Sequence, residues 1–273
     1  MIGLLNADVD LVLMLKNTRR DTLDINIGIG IPSNLKGLYI DWLQKPEKGK
    51  SKEYVYQAAI LDRYIKKKIP IVIFDRYMCI TDGEYKWLSK YNVTLYEPAL
   101  NNRVGFNYMP FPVDIDKYES QMLEIEEPIP RSIDIGLKGD VTKSSSFNKY
   151  IVDYIKKQPD KNVVYNDENL DWDDVKWTVA IDSSHNYQIG HLDHNIIESV
   201  KHGCSVIIPK EHKYYIGLFN HIYTPLSFLH YFVANYSDTM RLYDNIARLD
   251  NMRKIYPEFD MKNVADTILE ILG

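Results

Sequence analysis

The sequence predicts an α/β fold with parallel sheets, because short β-branched runs alternate with helical patterns along most of its 273 residues. Residues 70–75 and 206–208 are two such runs. Continuous apolar runs of this kind are typical of strands that are buried on both faces of a parallel sheet. Two alternating series flank a connector rich in Glu and Pro, so we expect two Rossmann-like domains that face a cleft.

Local patterns predict the elements of the first half. Residues 53–68 carry apolar side chains at helical spacing and end in three lysines, which suit the negative end of a helix dipole. Residues 9–15 fit either a strand or a short helix, and residues 117–130 have the composition of a connection. Strands are predicted at residues 2–6, 24–31, 38–42, 70–75 and 93–96, and a further helix at 82–91.

In the second half of the chain, residues 194–209 predict a helix, a glycine turn and a buried strand in succession. Gly203 stands where the C-cap of that helix is expected. The other predicted elements are strands at 133–137, 163–165 and 177–181 and helices at 147–157, 238–249 and 261–272.

The predicted domain organisation has four parts. They are an N-terminal Rossmann-like domain over residues 1–120, a connector over 121–132, a C-terminal Rossmann-like domain over 133–258, and a helical segment over 259–273 that can pack back on the first domain.

Composition narrows the class of protein. Hydrophobic residues make up 45% of the chain, yet no stretch approaches the roughly 20 apolar residues of a membrane span. Two cysteines, Cys79 and Cys204, are too few for a disulfide framework or a metal cluster. We expect a cytoplasmic monomer with no membrane partner.

The charge is distributed unevenly. Residues 1–120 hold 17 Lys and Arg against 15 Asp and Glu, whereas the remainder holds 16 against 23. The first half is therefore suited to meet a polyanion, and the second half repels one outside a local pocket.

Asp75 directly follows the apolar run that begins at residue 70. Ligands of open α/β sheets bind outside the carboxyl ends of the strands. A carboxylate there is well placed as a general base. The alternative is a structural Asp that caps the next turn.

A loop of small residues follows the predicted strand at 133–137. Backbone N–H groups at the start of the next helix are suited to bind phosphate. The candidate phosphate ligands are Lys138, Gly139, Lys143, Ser144 and Ser145. The loop is neither a Walker loop nor a GxGxxG fingerprint, and the alternative is a serine N-cap with solvated lysines.

Glu198 is the acidic residue inside the helix predicted at 194–201. A carboxylate there accepts hydrogen bonds from two ribose hydroxyls, or else it faces solvent. His191 and His194 stand three residues apart, but no third ligand has a diagnostic metal spacing, so we expect them to line a polar pocket.

Basic side chains of the first half are candidate contacts to nucleic-acid phosphates. The alternative is an ordinary solvated loop at residues 44–52. The candidates are Lys45, Lys48, Lys50, Lys52, Arg19, Arg20 and Arg76.

Two segments resemble those of GT-B glycosyltransferases. Residues 195–207 are similar to a helix–strand unit of that superfamily, with Asn195, Glu198 and Gly203 at the matching places, and residues 108–114 resemble the segment that ends its first domain. The order of lysine-rich loop, helix, strand and Asp75 resembles the phage DNA β-glucosyltransferases, which modify hydroxymethylcytosine.

The resemblance implies a GT-B fold and an inverting transfer of a sugar from a nucleotide diphosphate donor, with UDP as the nucleotide, to a hydroxyl on a modified base of phage DNA. It implies that Asp75 is the catalytic base and that Glu198 binds the ribose. His194 and Asn195 are then expected to face the sugar or the diphosphate.

One departure concerns the donor. The family places arginines in the phosphate loop and three residues before the ribose Glu, where this chain has Lys138, Lys143 and Asn195. The donor is therefore held differently or carries a different sugar.

The expected partners are a nucleotide-sugar, as co-substrate, and double-stranded DNA with modified bases. No cofactor is expected, and no motif indicates a divalent cation. Under this hypothesis Asp75→Asn removes turnover while donor binding survives. The alternatives are a GT-B enzyme that acts on a glycan, lipid or small molecule, and a non-catalytic module that binds a nucleotide-sugar or nucleic acid.

Overall fold

Parallel sheets form where the sequence predicts buried β-branched runs, and the α/β class is confirmed. In the computed structural model, every named strand among the described residues pairs in parallel with its neighbours. The structure describes residues 1–46, 51–123, 130–138, 146–157, 161–165, 167, 169–180, 184–209, 214, 218, 221–223 and 238–273.

The chain divides into two units. Unit 1 contains residues 1–98, 102–112 and 261–273, and unit 2 contains residues 99–101 and 113–260. Each is described by itself below.

Unit 1 is built on a six-stranded sheet with the order β2-β1-β3-β4-β5-β6. The reversal of strand order places the topological switch point between β1 and β3, where doubly wound sheets open a crevice at their carboxyl edge. The strands are β1 (Ile2–Leu5), β2 (Thr22–Ile25), β3 (Gly37–Asp41), β4 (Ile71–Phe74), β5 (Val93–Glu97) and β6 (Asn107–Tyr108).

Side-chain caps start the helices of unit 1. The Ser51 hydroxyl accepts from the N–H of Tyr54, and Thr81 with Glu84 forms a capping box. The helices are α1 (Val9–Thr18), α2 (Lys52–Ile65), α3 (Asp82–Leu88) and α9 (Met261–Leu272).

Helix α9 packs against α1, β3 and β4. A Cβ at Gly37 would lie 3.0 Å from the carbonyl oxygen of Leu272, so a larger residue there would require the end of α9 to shift by a few tenths of an ångström.

Unit 2 has a five-stranded sheet with the order β11-β10-β9-β7-β8. Relative to its own first strand this is the same 2-1-3-4-5 order as in unit 1, so its switch point lies between β7 and β9. The strands are β7 (Ile133–Leu137), β8 (Val163–Tyr165), β9 (Val175–Val179), β10 (Ser205–Pro209) and β11 (His221–Tyr223).

The helix–turn–strand unit predicted at residues 194–209 is present in unit 2. Gly203 has φ +72° and follows the last turn of α7, where its N–H donates to the carbonyl of Val200. The helices of this unit are α4 (Ile115–Leu123), α5 (Ser146–Lys156), α6 (Ser184–Ile189), α7 (His194–Lys201) and α8 (Asp238–Lys254).

The structure decides one open expectation and differs from two others. Residues 9–18 are a helix because Asp8 caps it by accepting from the N–H groups of Asp10 and Leu11. Strand β2 ends at Ile25 because the side chain of Asn26 accepts from the N–H of Gly28 and turns the chain. Part of the expected connection is helix α4, which lies in unit 2 and is capped by Asp114 through the N–H of Lys117.

Among the described residues, no helix combines the length and the apolar character that a membrane span requires.

Candidate functional site

A small cavity of about 30 Å³ lies at the carboxyl edge of unit 2, at the switch point between β7 and β9. Ligands of doubly wound sheets bind at this place. The wall contains the ends of both strands and the start of α7. The lining residues are Leu137, Lys138, Trp172, Thr178, Val179, Asp193, Asn195 and Ile196.

Lys138 follows β7 directly and supplies the positive charge of the cavity. Its ammonium donates to the carbonyl of Leu170 at 3.4 Å and lies 5.9 Å from the ring centroid of Trp172. Trp172 is buried, and its Nε1 has no hydrogen-bond partner. The cavity wall therefore offers an ammonium to an acceptor atom of a ligand, beside a buried indole ring.

Helix α7 brings Asn195 into the same cavity. Asp193 caps the helix, because its carboxylate accepts from the N–H of Asn195 at 2.7 Å. The predicted donor ligands Lys138 and Asn195 thus line one cavity although they are far apart in the sequence. The carboxylate of Asp193 lies in the same wall, so the site is not uniformly positive.

Glu198 lies on α7, one turn beyond Asn195. Its side chain is 28% exposed, and Oε1 accepts from the ammonium of Lys201 at 2.9 Å. His194 Nε2 lies 3.9 Å from the same oxygen. The carboxylate is therefore oriented by its own helix and still reachable from solvent.

The two predicted histidines differ in position. His191 is buried and pairs with Ala99 in an isolated bridge, whereas His194 is the first residue of α7. No group of three His, Cys, Asp or Glu side chains suited to a metal ion occurs within the described part of the chain. Four predicted phosphate ligands lie outside the described residues: Gly139, Lys143, Ser144 and Ser145.

Guanidinium groups donate hydrogen bonds to backbone carbonyls in the turn between α7 and β10. Arg131 donates to the carbonyl of His202, Arg241 to that of Gly203 and Arg248 to that of Cys204. These contacts satisfy carbonyls at the C-terminal end of α7, where a cation is also favoured by the helix dipole. The helix that carries Asn195 and Glu198 is therefore held firmly at its far end.

Asp75 lies in unit 1, directly after β4, and is 0% exposed. One carboxylate oxygen accepts from the N–H and the thiol of Cys79, and the other accepts from the N–H of Ile80 and from Arg103 at 2.7 Å. Four donors therefore occupy the carboxylate, which holds the β4–α3 loop closed. Burial, followed by the nearby Asp75 carboxylate, raises the pKa of Cys79 to about 12.

Two further buried carboxylates stand at this edge of unit 1, at the ends of β3 and β5. Asp41 accepts from Arg76 at 2.6 Å and from the hydroxyl of Tyr39 at 2.6 Å, and Glu97 accepts from Arg103 at 2.7 Å. Burial raises the pKa of Asp41, although Arg76 opposes that shift.

The candidate nucleic-acid contacts do not form one surface. Arg19 and Arg20 precede β2 and so lie at the amino edge of the sheet, whereas Lys45 follows β3 and Lys52 begins α2, at the carboxyl edge. Arg76 is mostly buried against Asp41. Lys48 and Lys50 lie outside the described residues.

Sequence reasoning missed Arg103 and Trp172. Arg103 bonds to a carboxylate 28 positions earlier, and Trp172 reaches the cavity from a short 3-10 turn between β8 and β9. Neither residue belongs to a motif, although an indole beside paired aspartates was a visible feature of residues 171–174.

Comparison with known proteins adds little. No family model and no curated protein sequence matches the chain. One solved structure that it resembles is an α-glucosyltransferase in complex with UDP and a 13-mer DNA containing a central A:G mismatch. The identity is 10%, the TM-score is 0.46, and the match covers 99% of this chain and 94% of that chain.

Proposed function

We propose that the chain is a glycosyltransferase that binds a nucleotide-sugar in unit 2 and transfers the sugar to a hydroxyl of a modified DNA base. The observation that carries the proposal is the cavity at the switch point of unit 2, where Lys138 and the start of α7 converge. The resemblance of residues 195–207 to the donor-binding segment of GT-B enzymes supports the same assignment.

In this proposal, each part of a UDP-sugar meets a matching group. Glu198 accepts hydrogen bonds from the ribose hydroxyls, since its carboxylate is partly exposed and fixed on α7. Lys138 neutralises charge on the diphosphate, together with Lys143 and the Ser144 and Ser145 groups. Asn195 and His194 face the sugar or the diphosphate.

The chemical step is a direct displacement. The acceptor oxygen bonds to the anomeric carbon, the bond from that carbon to the diphosphate oxygen breaks, and the configuration inverts. The acceptor proton passes to Asp75, which requires that Arg103 and the β4–α3 loop first release one carboxylate oxygen. The acceptor base leaves the helical stack to reach the site.

Titration of UDP into the protein, followed by calorimetry, tests the donor site. Glu198→Gln is expected to weaken UDP binding about tenfold, because charge-assisted hydrogen bonds to the ribose become neutral ones. Glu53→Gln, at an exposed position of α2, is the matched control and is expected to leave the affinity unchanged. Equal affinities for wild type and Glu198→Gln would remove Glu198 from the site.

The transfer reaction is tested with UDP-sugars and DNA that contains 5-hydroxymethylcytosine. Digestion to nucleosides followed by mass spectrometry is expected to show one added sugar per modified base. UDP binding without any added mass, on DNA or on glycan, lipid and small-molecule acceptors, would instead identify a binding module.

That second candidate has its own support. A carboxylate with four donors and no exposure is suited to close a loop rather than to accept a proton. A non-catalytic nucleotide-sugar binding module needs no accessible base, so it is consistent with Asp75 as described.

A further inference from the structure

The amino edge of the unit 1 sheet brings Met1 and four loops together side by side. Ile2 donates to the carbonyl of Asp21, Lys36 to that of Met1, and Ile71 to that of Asn92. The N–H of Leu38 completes the row by donating to the carbonyl of Pro70. The segments before β2, β1, β3, β4 and β5 therefore adjoin in the order of the strands, at intervals of about 4.8 Å.

Exposed cations stand along this row. We call the set Arg20, Lys36, Lys66, Lys68 and Lys90 the basic edge. Within this row the one carboxylate side chain is Asp21, and it pairs with Arg19 and the amine of Met1. The row consists of residues 1, 19–21, 33–36, 66–70 and 89–92, all of which the structure describes. Asp62 on α2 lies 3.4 Å from Lys66 but is itself highly exposed. The edge is therefore strongly positive in a protein whose net charge is −5.

A groove of about 540 Å³ lies at one end of the basic edge, between the ends of α2 and α3. Its wall combines ammonium groups with an aromatic ring. The lining residues are Ile65, Lys66, Lys68, Lys90, Tyr91 and Asn92. Trp87 lies beside Tyr91, with the ring centroids 5.9 Å apart in an edge-to-face pair, and it is 36% exposed.

We propose that the basic edge binds a single nucleic-acid strand, with lysines on successive phosphates and a base against Tyr91. Aromatic rings interleaved with lysines suit a polymer that alternates phosphates with flat bases. An anionic membrane surface would require exposed apolar side chains around the cations, and the lining of this concave groove contains only Ile65 as an aliphatic residue.

The inference goes beyond the proposed sugar transfer. The groove stands at the amino ends of β4 and β5, whereas Asp75 and Glu97 stand at the carboxyl ends of the same strands. A strand held here is therefore not the acceptor base of the reaction but a separate length of nucleic acid, and its binding does not depend on UDP.

The test is fluorescence anisotropy with a labelled single strand of about 12 nucleotides, measured between about 50 and 200 mM salt. The double variant K68Q/K90Q removes two charges from the groove. It is expected to bind about tenfold more weakly and to flatten the slope of log affinity against log salt by about 1.4. The matched control, K149Q/K157Q, removes two exposed lysines from unit 2 and is expected to change neither quantity.

The stacking contact is tested separately. Tyr91→Leu is expected to weaken binding about tenfold with an unchanged salt slope, because it removes a ring and no charge. Circular dichroism checks the fold of this variant, and Trp87→Leu replaces it if the fold is lost. Equal losses of affinity in K68Q/K90Q and K149Q/K157Q would overturn the site. The site would also be overturned if a duplex bound as tightly as the single strand and Tyr91→Leu left the affinity unchanged.

The same variants separate this inference from the proposed function. K68Q/K90Q is expected to bind UDP as wild type does, since Glu198 and Lys138 belong to unit 2. Failure of UDP binding leaves the strand-binding result standing, and failure of strand binding leaves the UDP result standing.

Discussion

Units 1 and 2 share the strand order 2-1-3-4-5 but complete their carboxyl edges in opposite ways. In unit 1 side chains bridge the switch point, because Asn6 donates to the carbonyl of Asp41 and to the buried side chain of Gln57. In unit 2 a cavity remains between β7 and β9. Strand order thus offers a crevice twice, and the two are lined differently: hydrogen-bonded side chains bridge the first, and a cavity lies at the second.

The largest expected effect is a loss of stability at the carboxyl edge of unit 1. Asp75→Asn replaces an oxygen that accepts from Ile80 and Arg103 with an amide that donates, so the buried N–H of Ile80 and the partly exposed Arg103 lose their acceptor. We expect the free energy of unfolding to fall by about 3 kcal/mol, measured by urea denaturation. Hydrogen exchange of residues 75–81 is expected to accelerate, while UDP affinity is unchanged because the cavity belongs to unit 2.

The control for this variant is Asp62→Asn, which removes an exposed pair with Lys66 and is expected to cost less than about 0.5 kcal/mol. If Asp75→Asn has wild-type stability but no sugar transfer, the carboxylate serves as the base and not as the anchor of its loop.

An effect of intermediate size is expected on ligand binding at the cavity of unit 2. Asn195→Asp adds a negative charge to a wall that already contains Asp193. We expect UDP binding to weaken about tenfold through repulsion of the diphosphate, with the unfolding transition unchanged. Calorimetry measures the affinity, and Asn17→Asp on the exposed face of α1 is the control. Unchanged affinity would place the diphosphate away from this cavity.

The smallest effect is expected at the amino edge of unit 2, where Asp134 of β7 pairs with Asn162 and Lys176. Burial opposes the charge of Asp134, but the N–H of Asn162 and the ammonium of Lys176 outweigh it, so the pKa of Asp134 lies below its ordinary value of 3.8. A depressed acid pKa stabilises the folded state above the unfolded pKa, and that stabilisation disappears as the pH falls through the folded value.

Wild type is therefore expected to exceed Asp134→Asn in stability by less than about 1 kcal/mol at neutral pH. The difference is expected to shrink as the pH falls below about 4. Urea denaturation across this range measures it, and a difference that grows in acid would contradict the assignment.

The sequence was a good guide to elements whose cause is local. Helix α7 and β10 follow from apolar spacing, the glycine turn and a β-branched run, and all three are visible in consecutive residues. Helix α4 was missed because its cap depends on one side chain, Asp114, within a segment whose Glu and Pro content indicates a connection.

The site was less predictable, because its causes are distant in the sequence. That Lys138 and Asn195 share a cavity depends on β9 inserting next to β7, which no local pattern specifies. The four donors on Asp75 include Arg103, which reaches it only because β4 and β5 are neighbours. The roles predicted for Asp75 and Glu198 remain predictions until the variants are measured.

Helix α9 sets an order of events during synthesis. It belongs to unit 1, where Ile268 and Leu272 are buried against a sheet whose strands all lie before residue 109. A ribosome makes α9 only after every residue of unit 2 has been added. The strands of unit 1 are therefore translated first, but one face of their sheet stays uncovered until α9 emerges. Unit 2 is translated later and can nevertheless complete its fold before unit 1 does.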